Sequence, residues 1–229
     1  GAQLKKFGNV TVEYLLQQTR IKSIDNTQNF GVRHTLSMLK TGTVIDSRNR
    51  YPFPSGGVHT RLSYEFASTR LGSDIGYTAL RFLWENYASW GDRSTFHPRL
   101  TFGFGDITMP LAQQFRLGGR EAMFGTREDD RRGRQMLVLN IEYRYRMPIR
   151  FAFDTYVRVR YDLATISDVP EQIKFNLFRH GIGMELALDT PLGEAALGVG
   201  NSFYFEQGLK ENSMKRGPLL LYLTLGYDL

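Results

Sequence analysis

The stretch FRLGGREAMFGTREDDRRGR, residues 115–134, sets acids, guanidinium groups and glycines side by side. The run Arg127-Glu128-Asp129-Asp130 beside a histidine at the rim of a barrel would equip a protease or phospholipase, and the plainer reading is a solvated loop. The run Arg131-Arg132-Gly133-Arg134 would grip the phosphates of lipopolysaccharide through charge-assisted hydrogen bonds, unless it is solvated or paired inside the molecule. The histidines at 34, 59, 97 and 180 are scattered over separate segments, so no metal site is assigned. GFGDIT, GIGMEL and GVGNSF begin like dinucleotide fingerprints but lack the third glycine and the helix such a motif opens. No Gly-x-Ser-x-Gly elbow occurs. The expectation is no catalytic residue, no cofactor and no metal.

Something must hold this stretch in place, because an irregular connection longer than about 12–15 residues is uncommon unless it is functional or disordered. The flanking segments alternate with period two. In VHTRLSYEF (58–66), Val58, Leu62, Tyr64 and Phe66 lie opposite His59, Arg61, Ser63 and Glu65. In LVLNIEYRY (137–145), Leu137, Leu139, Ile141, Tyr143 and Tyr145 lie opposite Val138, Asn140, Glu142 and Arg144. Segments 78–86, 96–104 and 149–161 behave alike, and further strands fall near Val10–Ile21, Phe30–Ile45, Phe178–Leu188, Glu194–Phe205 and Leu219–Leu229. About ten strands result, each with one apolar and one polar face. No segment of convincing length has helical period.

The polar face carries Arg61, Arg81, Arg99, Arg144, Arg150, Arg158, Arg160, Glu65, Glu85, Glu142 and Asp154. A soluble sheet would turn such residues to water and use strands of about 5–6 residues. A membrane barrel turns its apolar face to lipid and needs about 9–11 residues per strand. Strand length favours the membrane barrel, as do Trp84, Tyr143, Tyr145, Phe151, Phe153, Phe203 and Phe205 near strand ends on the apolar side. The inward arginines would form an anion path were they not interleaved with Glu and Asp, which makes a neutralised network the better reading. With 41% hydrophobic residues, no apolar run nears a spanning helix of roughly 18 residues. The net charge of +6 alternates along lumen-facing strands, so nucleic acid is not expected. The absence of Cys is compatible with an oxidising compartment. Short connections would be 47–56, 88–94, 146–148 and 189–193; long ones 22–29, 107–133, 162–175 and 206–217, with 69–74 on the same side. The opening GAQLKKFG shows no export signal, so one was removed or this is the C-terminal piece of a longer chain.

Laid out this way, YPFPSGGVHTRLSYE (51–65), FRLGG (115–119) with MFGT (123–126), IEYRYRMP (141–148), FAFDTYVRVR (151–160) and GIGMELALDTPLGEAALGVG (181–200) resemble, in order and spacing, the bacterial surface antigen family of outer-membrane barrels. That family includes assembly factors, two-partner-secretion transporters and the barrel of patatin-like autotransporters. The resemblance runs from about Tyr51 to the end of the chain. It implies an all-β antiparallel transmembrane barrel in a Gram-negative outer membrane, one barrel domain over 1–229, acting in protein translocation, assembly or membrane anchoring. A barrel enzyme or a passive porin is the alternative. It also implies outer-membrane lipid and lipopolysaccharide as surroundings and a passenger or client polypeptide as partner; it sets no oligomeric state. Family barrels have sixteen strands, so the chain is either the C-terminal part of one or a smaller relative.

The resemblance further implies that 107–133 folds into the lumen as a loop whose arginine rests on a Glu and an Asp of the next two strands, matched here by Glu142 and Asp154. Where the family has Val-Arg-Gly-Phe this chain reads Met123-Phe124-Gly125-Thr126, so Arg127, or failing that Arg120, is expected to make the pair while Phe124 packs on a lumen surface. Gly118, Gly119 and Gly125 are expected to allow the tight turns. The departure points toward the patatin-like autotransporter branch.

Overall fold

In the computed structural model, residues 2–4, 8–22, 31–149, 152–207 and 212–226 are described. The chain is a meander of antiparallel strands: β1 (Ala2–Leu4), β2 (Gly8–Lys22), β3 (Gly31–Asp46), β4 (Gly56–Ala67), β5 (Tyr77–Trp90) and β6 (Ser94–Gly105). The long connection then holds β7 (Phe115–Leu117), α1 (Gly119–Ala122) and β8 (Arg131–Gly133). After it come β9 (Gln135–Arg146), β10 (Asp154–Ser167), β11 (Arg179–Thr190), β12 (Gly193–Gln207), β13 (Asn212–Arg216) and β14 (Leu220–Gly226). All but β7 and β8 join one 12-stranded sheet, in which β9 takes its place directly beside β6 and both β13 and β14 pair with β12. Among the described residues the two ends of the sheet are not paired with each other.

The alternation seen in the sequence fixes which face goes where. Leu62, Tyr64, Phe66, Ile141, Tyr143, Val159 and Leu186 are exposed, whereas Glu85, Asn140, Glu142, Arg144, Arg158, Arg160, Asp162 and Glu185 are buried. A water-soluble domain has the opposite arrangement, because burying a charge costs free energy that burying a leucine returns. Apolar outside and charged inside is stable where the outer solvent is lipid. No helix among the described residues is long and apolar enough to cross a membrane. The strand ends carry aromatic rings on the outer face. Trp90 stacks on Tyr143 at 5.8 Å near the short turns, and His180 stacks on Phe203 at 4.9 Å near the long connections.

The sheet is strongly curved. Phe53, in the turn between β3 and β4, packs with Tyr156, Ala187 and Ala196 of β10, β11 and β12, which are remote from it in strand order. A second cluster joins Leu36, Met38, Ala67, Tyr77, Ala79, Met136, Val138 and Ala164 from the inner face of five strands to Met109, Phe115, Leu117 and Met123 of the long connection.

Strand bounds differ from the sequence expectation in one place with consequences. The segment 149–161 begins its strand only at Asp154, because Ala152 at φ 65° breaks the extended run, and the strand continues to Ser167. The connection expected at 162–175 is therefore 168–178, and the turn expected at 146–148 spans 147–153. The long connection occupies 106–134 and contains one short helix, where none was expected. The expectations on Phe30, Arg150, Phe151, Tyr227 and Leu229, and on 23–30 and 208–211, lie outside the described residues.

Candidate functional site: a lumen closed from both ends

The side chains facing inward form rows across neighbouring strands, set by the register. One row runs Thr95, Arg144, Arg158, Glu185, Gly198 from β6 to β12; the next runs His97, Glu142, Arg160, Gly183, Gly200; a third runs Arg99, Asn140, Asp162, Gly181, Ser202. Cations, acids and glycines thus lie side by side, and the glycines leave floor space at which other groups arrive.

The long connection arrives there. β7 and β8 pair as a narrow neck, Phe115 opposite Gly133. Phe115 and Leu117 turn into the apolar collar, and a Cβ on Gly103 would stand 2.7 Å from the Phe115 ring. Beyond the neck, Gly118 (φ 139°), Gly119 (φ 81°) and Gly125 (φ 73°) make turns that a side chain would strain. At Gly125 a Cβ would also collide with the backbone of Asn201 and Ser202. The ring of Phe124, 1% exposed, lies on Gly183 and Gly200, and the Arg160 guanidinium lies over it at 4.2 Å. Wall side chains take up the loop's backbone. Phe124 N donates to Asp162 Oδ2 (2.8 Å) and Gly125 N to the Tyr222 hydroxyl (2.8 Å). The Ser202 hydroxyl donates to the Gly125 carbonyl (2.7 Å), and Asn140 Nδ2 to the Ala122 carbonyl (3.0 Å).

Arg120 is the loop's cationic anchor. Its Nε lies 2.6 Å from Glu185 Oε1 and its Nη1 2.6 Å from Glu121 Oε1, and it also bonds Glu194. Arg158 binds the same two wall acids, Glu185 Oε2 at 2.8 Å and Glu194. Two cations thus share two acids across three strands and the loop, with Glu121 contributing to Arg120. Burial works against the charge on Arg120, but Glu185, Glu121 and Glu194 outweigh it and raise its pKa above the ordinary guanidinium value.

The opposite end is closed by the turn at 47–55. Phe53 is fully buried and stacks on Tyr156 at 4.2 Å, with Arg144 over both rings at 5.6 and 5.7 Å. Arg144 donates to the Pro54 carbonyl, and Arg50 donates to the Tyr156 hydroxyl (2.7 Å). Between turn and loop lies a cavity of about 330 Å³ lined by arginines and glutamates.

The structure separates the site residues expected from the sequence into two groups. Gly118, Gly119, Arg120, Phe124 and Gly125 come together in the lumen, whereas Arg127 is exposed on the loop's far turn. The wall acids that Arg120 meets are Glu185 and Glu194, not Glu142 and Asp154. Glu142 is buried 3.7 Å from His97 Nδ1. Asp154 stands at the start of β10 opposite Asp189, near the short turns. The acid of β10 that serves the loop is Asp162, which the sequence reading placed in a connection. Asp129 of the acidic run is engaged by Arg116 at 2.6 Å and Arg132 at 3.9 Å. Glu185, Glu194, Asp162 and Tyr222 were missed. The signal that could have found them is the set of Gly-x-Gly pairs: Gly103, Gly183 and Gly200 are seats for loop rings, Gly105 for Met109, and Gly198 for Glu185. An interior strand glycine often marks such a close approach.

Comparison with known proteins agrees with this architecture. Residues 1–215 match the model of the Omp85 superfamily domain. Among solved structures, BamA from Haemophilus ducreyi lacking POTRA domains 1–3 superposes with a TM-score of 0.70 at 13% identity, covering 90% of this chain and 45% of that one. The chain therefore spans less than half the length of that relative. No curated protein sequence matches. An inside-out β-sheet wrapped around an in-folded loop, with the superfamily match over nearly the whole chain, makes this protein a Gram-negative outer-membrane β-barrel chain that belongs to the Omp85 superfamily.

Proposed function

We propose that this barrel moves or inserts polypeptide at the outer membrane, as a translocator or assembly barrel, and that the lumen loop is the element that closes it. The observation that carries the reading is the nature of the closure. The loop is held by side chains and short contacts, so it can leave the lumen without breaking the hydrogen-bond ladder of the wall. The Glu185 and Glu194 carboxylates that bind Arg120 are held in parallel by Arg158, so they keep a cationic partner when the loop departs. The partner in this reading is a client polypeptide, which in the autotransporter branch would be a passenger preceding the barrel. No catalytic role falls to these residues. Asp129 of the acidic run is tied to Arg116.

Planar-bilayer recording of the full-length gene product tests this. The wild type should remain mostly closed, and Arg120→Ala should raise the open fraction about tenfold or more by removing the anchor. Equal, closed behaviour of both proteins would favour a passive anchor. Peptide or phospholipid hydrolysis by the purified wild type would favour the barrel enzyme.

A further inference from the structure

The edge of the sheet formed by β13 and β14 is interrupted beside the tip of the lumen loop. β12 pairs with β13 at 203–207 and with β14 at 194–200. Between these ladders Gly217, Pro218 and Leu219 lie opposite Asn201 and Ser202, so the edge carries one extra residue, as in a bulge. Pro218 brings no N–H to the ladder. The break is held by Gly217 N, which donates to the Ser202 carbonyl (2.6 Å), and by Asn201 Nδ2, which donates to the Gly217 carbonyl (2.8 Å). Among the described residues β14 has a neighbour on one side only. A short, one-sided ladder is where a sheet opens most readily.

The loop supplies what this edge lacks. Tyr222 of β14 stands opposite Gly198 of β12, and its hydroxyl makes two bonds with the loop tip at once. It accepts from Gly125 N (2.8 Å) and donates to the Thr126 carbonyl (3.0 Å). Its ring meets the Phe124 ring edge to face at 5.3 Å. Across the break the Ser202 hydroxyl holds the Gly125 carbonyl, and a Cβ on Gly217 would collide with that same hydroxyl. The loop tip thus bridges β12 and β14 where the edge is interrupted. We propose that Tyr222 couples the seating of the lumen loop to the pairing of β14. With the loop in place, its tip braces the β12–β14 ladder through the phenol. With the loop withdrawn, Tyr222 loses both bonds, and β14 opens from β12 more often while the rest of the wall keeps its pairing. Such coupling is reciprocal, so loosening β14 also unseats the loop. Arg120 pairs with Glu185 of β11 and Glu194 of β12, so the two anchors of the loop are separable by mutation.

The test is hydrogen–deuterium exchange of the full-length gene product in lipid nanodiscs, read by mass spectrometry over 219–226, 121–127 and 154–167. Tyr222→Phe keeps the ring and deletes both bonds. It should speed exchange about tenfold over 219–226 and also over 121–127, and leave 154–167 unchanged. Arg120→Ala should speed exchange over the same two stretches. The double variant should exceed Arg120→Ala by little over 219–226, because a withdrawn loop offers Tyr222 nothing to hold. All variants should keep the wild-type shift on unheated gels; should Arg120→Ala fail to fold, Tyr222→Phe decides alone. Unchanged exchange over 121–127 in Tyr222→Phe would make the residue a prop of its own strand and overturn the coupling, as would additive effects in the double variant. Equal, closed channels in bilayers alongside the expected exchange pattern would sink the translocator reading and leave the coupling standing.

Discussion

The two closures of the lumen solve one problem with opposite polarity. In the long loop the cation travels with the loop: Arg120 enters from outside and meets wall acids at Glu185 and Glu194. In the turn at 47–55 the cation belongs to the wall: Arg144 reaches to the Pro54 carbonyl and covers the Phe53 ring. The first closure is ionic, directional and shared among five charged groups, Arg120 and Glu121 of the loop and Arg158, Glu185 and Glu194 of the wall. The second is mainly ring stacking plus a carbonyl acceptor. A buried guanidinium needs acceptors around it, and carboxylates, carbonyls and ring faces all serve. The difference lies in what release would cost. Withdrawing the loop leaves Glu185 and Glu194 with Arg158. Withdrawing the turn leaves Arg144 deprived of its Pro54 acceptor and Phe53 ring, and Tyr156 without its stacking partner. The loop is the better candidate for the moving part.

The strongest way to break that contrast is to remove the shared acid. Glu185 is 4% exposed and binds both Arg120 and Arg158. Glu185→Ala leaves two buried cations to share Glu194 as their one wall acid, and breaking a buried pair costs roughly 3–5 kcal/mol. The temperature at which the unheated-gel shift is lost should drop markedly, whereas Glu128→Ala, on the exposed face of the same loop, should barely move it. Equal behaviour of the two variants would refute the ionic anchor.

Phe53→Ala tests the other end. A buried phenylalanine truncated to alanine typically costs about 3–5 kcal/mol, and the lower end is expected here because the stems of Arg144 and Arg158 can settle into the space. Its effect should fall on stability and not on the open fraction in bilayers, while Arg120→Ala should do the reverse. If Phe53→Ala opens the channel as readily as Arg120→Ala, the two closures are equivalent and the loop has no special role.

How much of this was legible in the sequence follows from which facts are one-dimensional. Alternation is: Tyr64 against Glu65, or Ile141 against Glu142, gives the faces outright, and the strands follow with small changes at their ends. The lumen loop was legible from its glycines and through family resemblance. Its anchoring was not. Ile149, Phe151 and Phe153 mimic the start of a strand, which hid the break at Ala152 and led to the selection of Asp154. Asp162, which receives the loop, lies further along the same strand, roughly 26 Å away at about 3.3 Å per residue. The Gly-x-Gly pairs had the look of phosphate-binding turns, and their meaning as seats for Phe124 and Phe115 depends on which distant residue lands on them. That is a tertiary fact carried by no local pattern.

The smallest expected effect sits where the loop leaves the wall. Asp106 follows β6 and ties the loop's first turn to β5: Thr78 N and Oγ1 donate to its Oδ2 (2.6 and 3.0 Å), and Thr108 N and Oγ1 to its Oδ1 (3.1 and 2.8 Å). Burial pushes its pKa up, but these hydrogen bonds, from Thr108 foremost and then Thr78, prevail and hold it below the usual carboxylate range. A depressed folded-state pKa means stability that is present above the unfolded value of about 3.9 and lost as pH falls through the folded one. Asp106→Asn keeps one carbonyl oxygen and should cost about 1 kcal/mol at neutral pH. As pH falls below about 4 and on through the lower folded-state value, the wild type progressively loses this contribution, so the difference between the two proteins should shrink. Comparing them in parallel cancels the titration of every other acid in the barrel. A difference that stays constant from pH 7 to about pH 3 would mean that the ionised Asp106 does not hold the turn, leaving the neck of the loop to the β7–β8 pairing and the apolar collar alone.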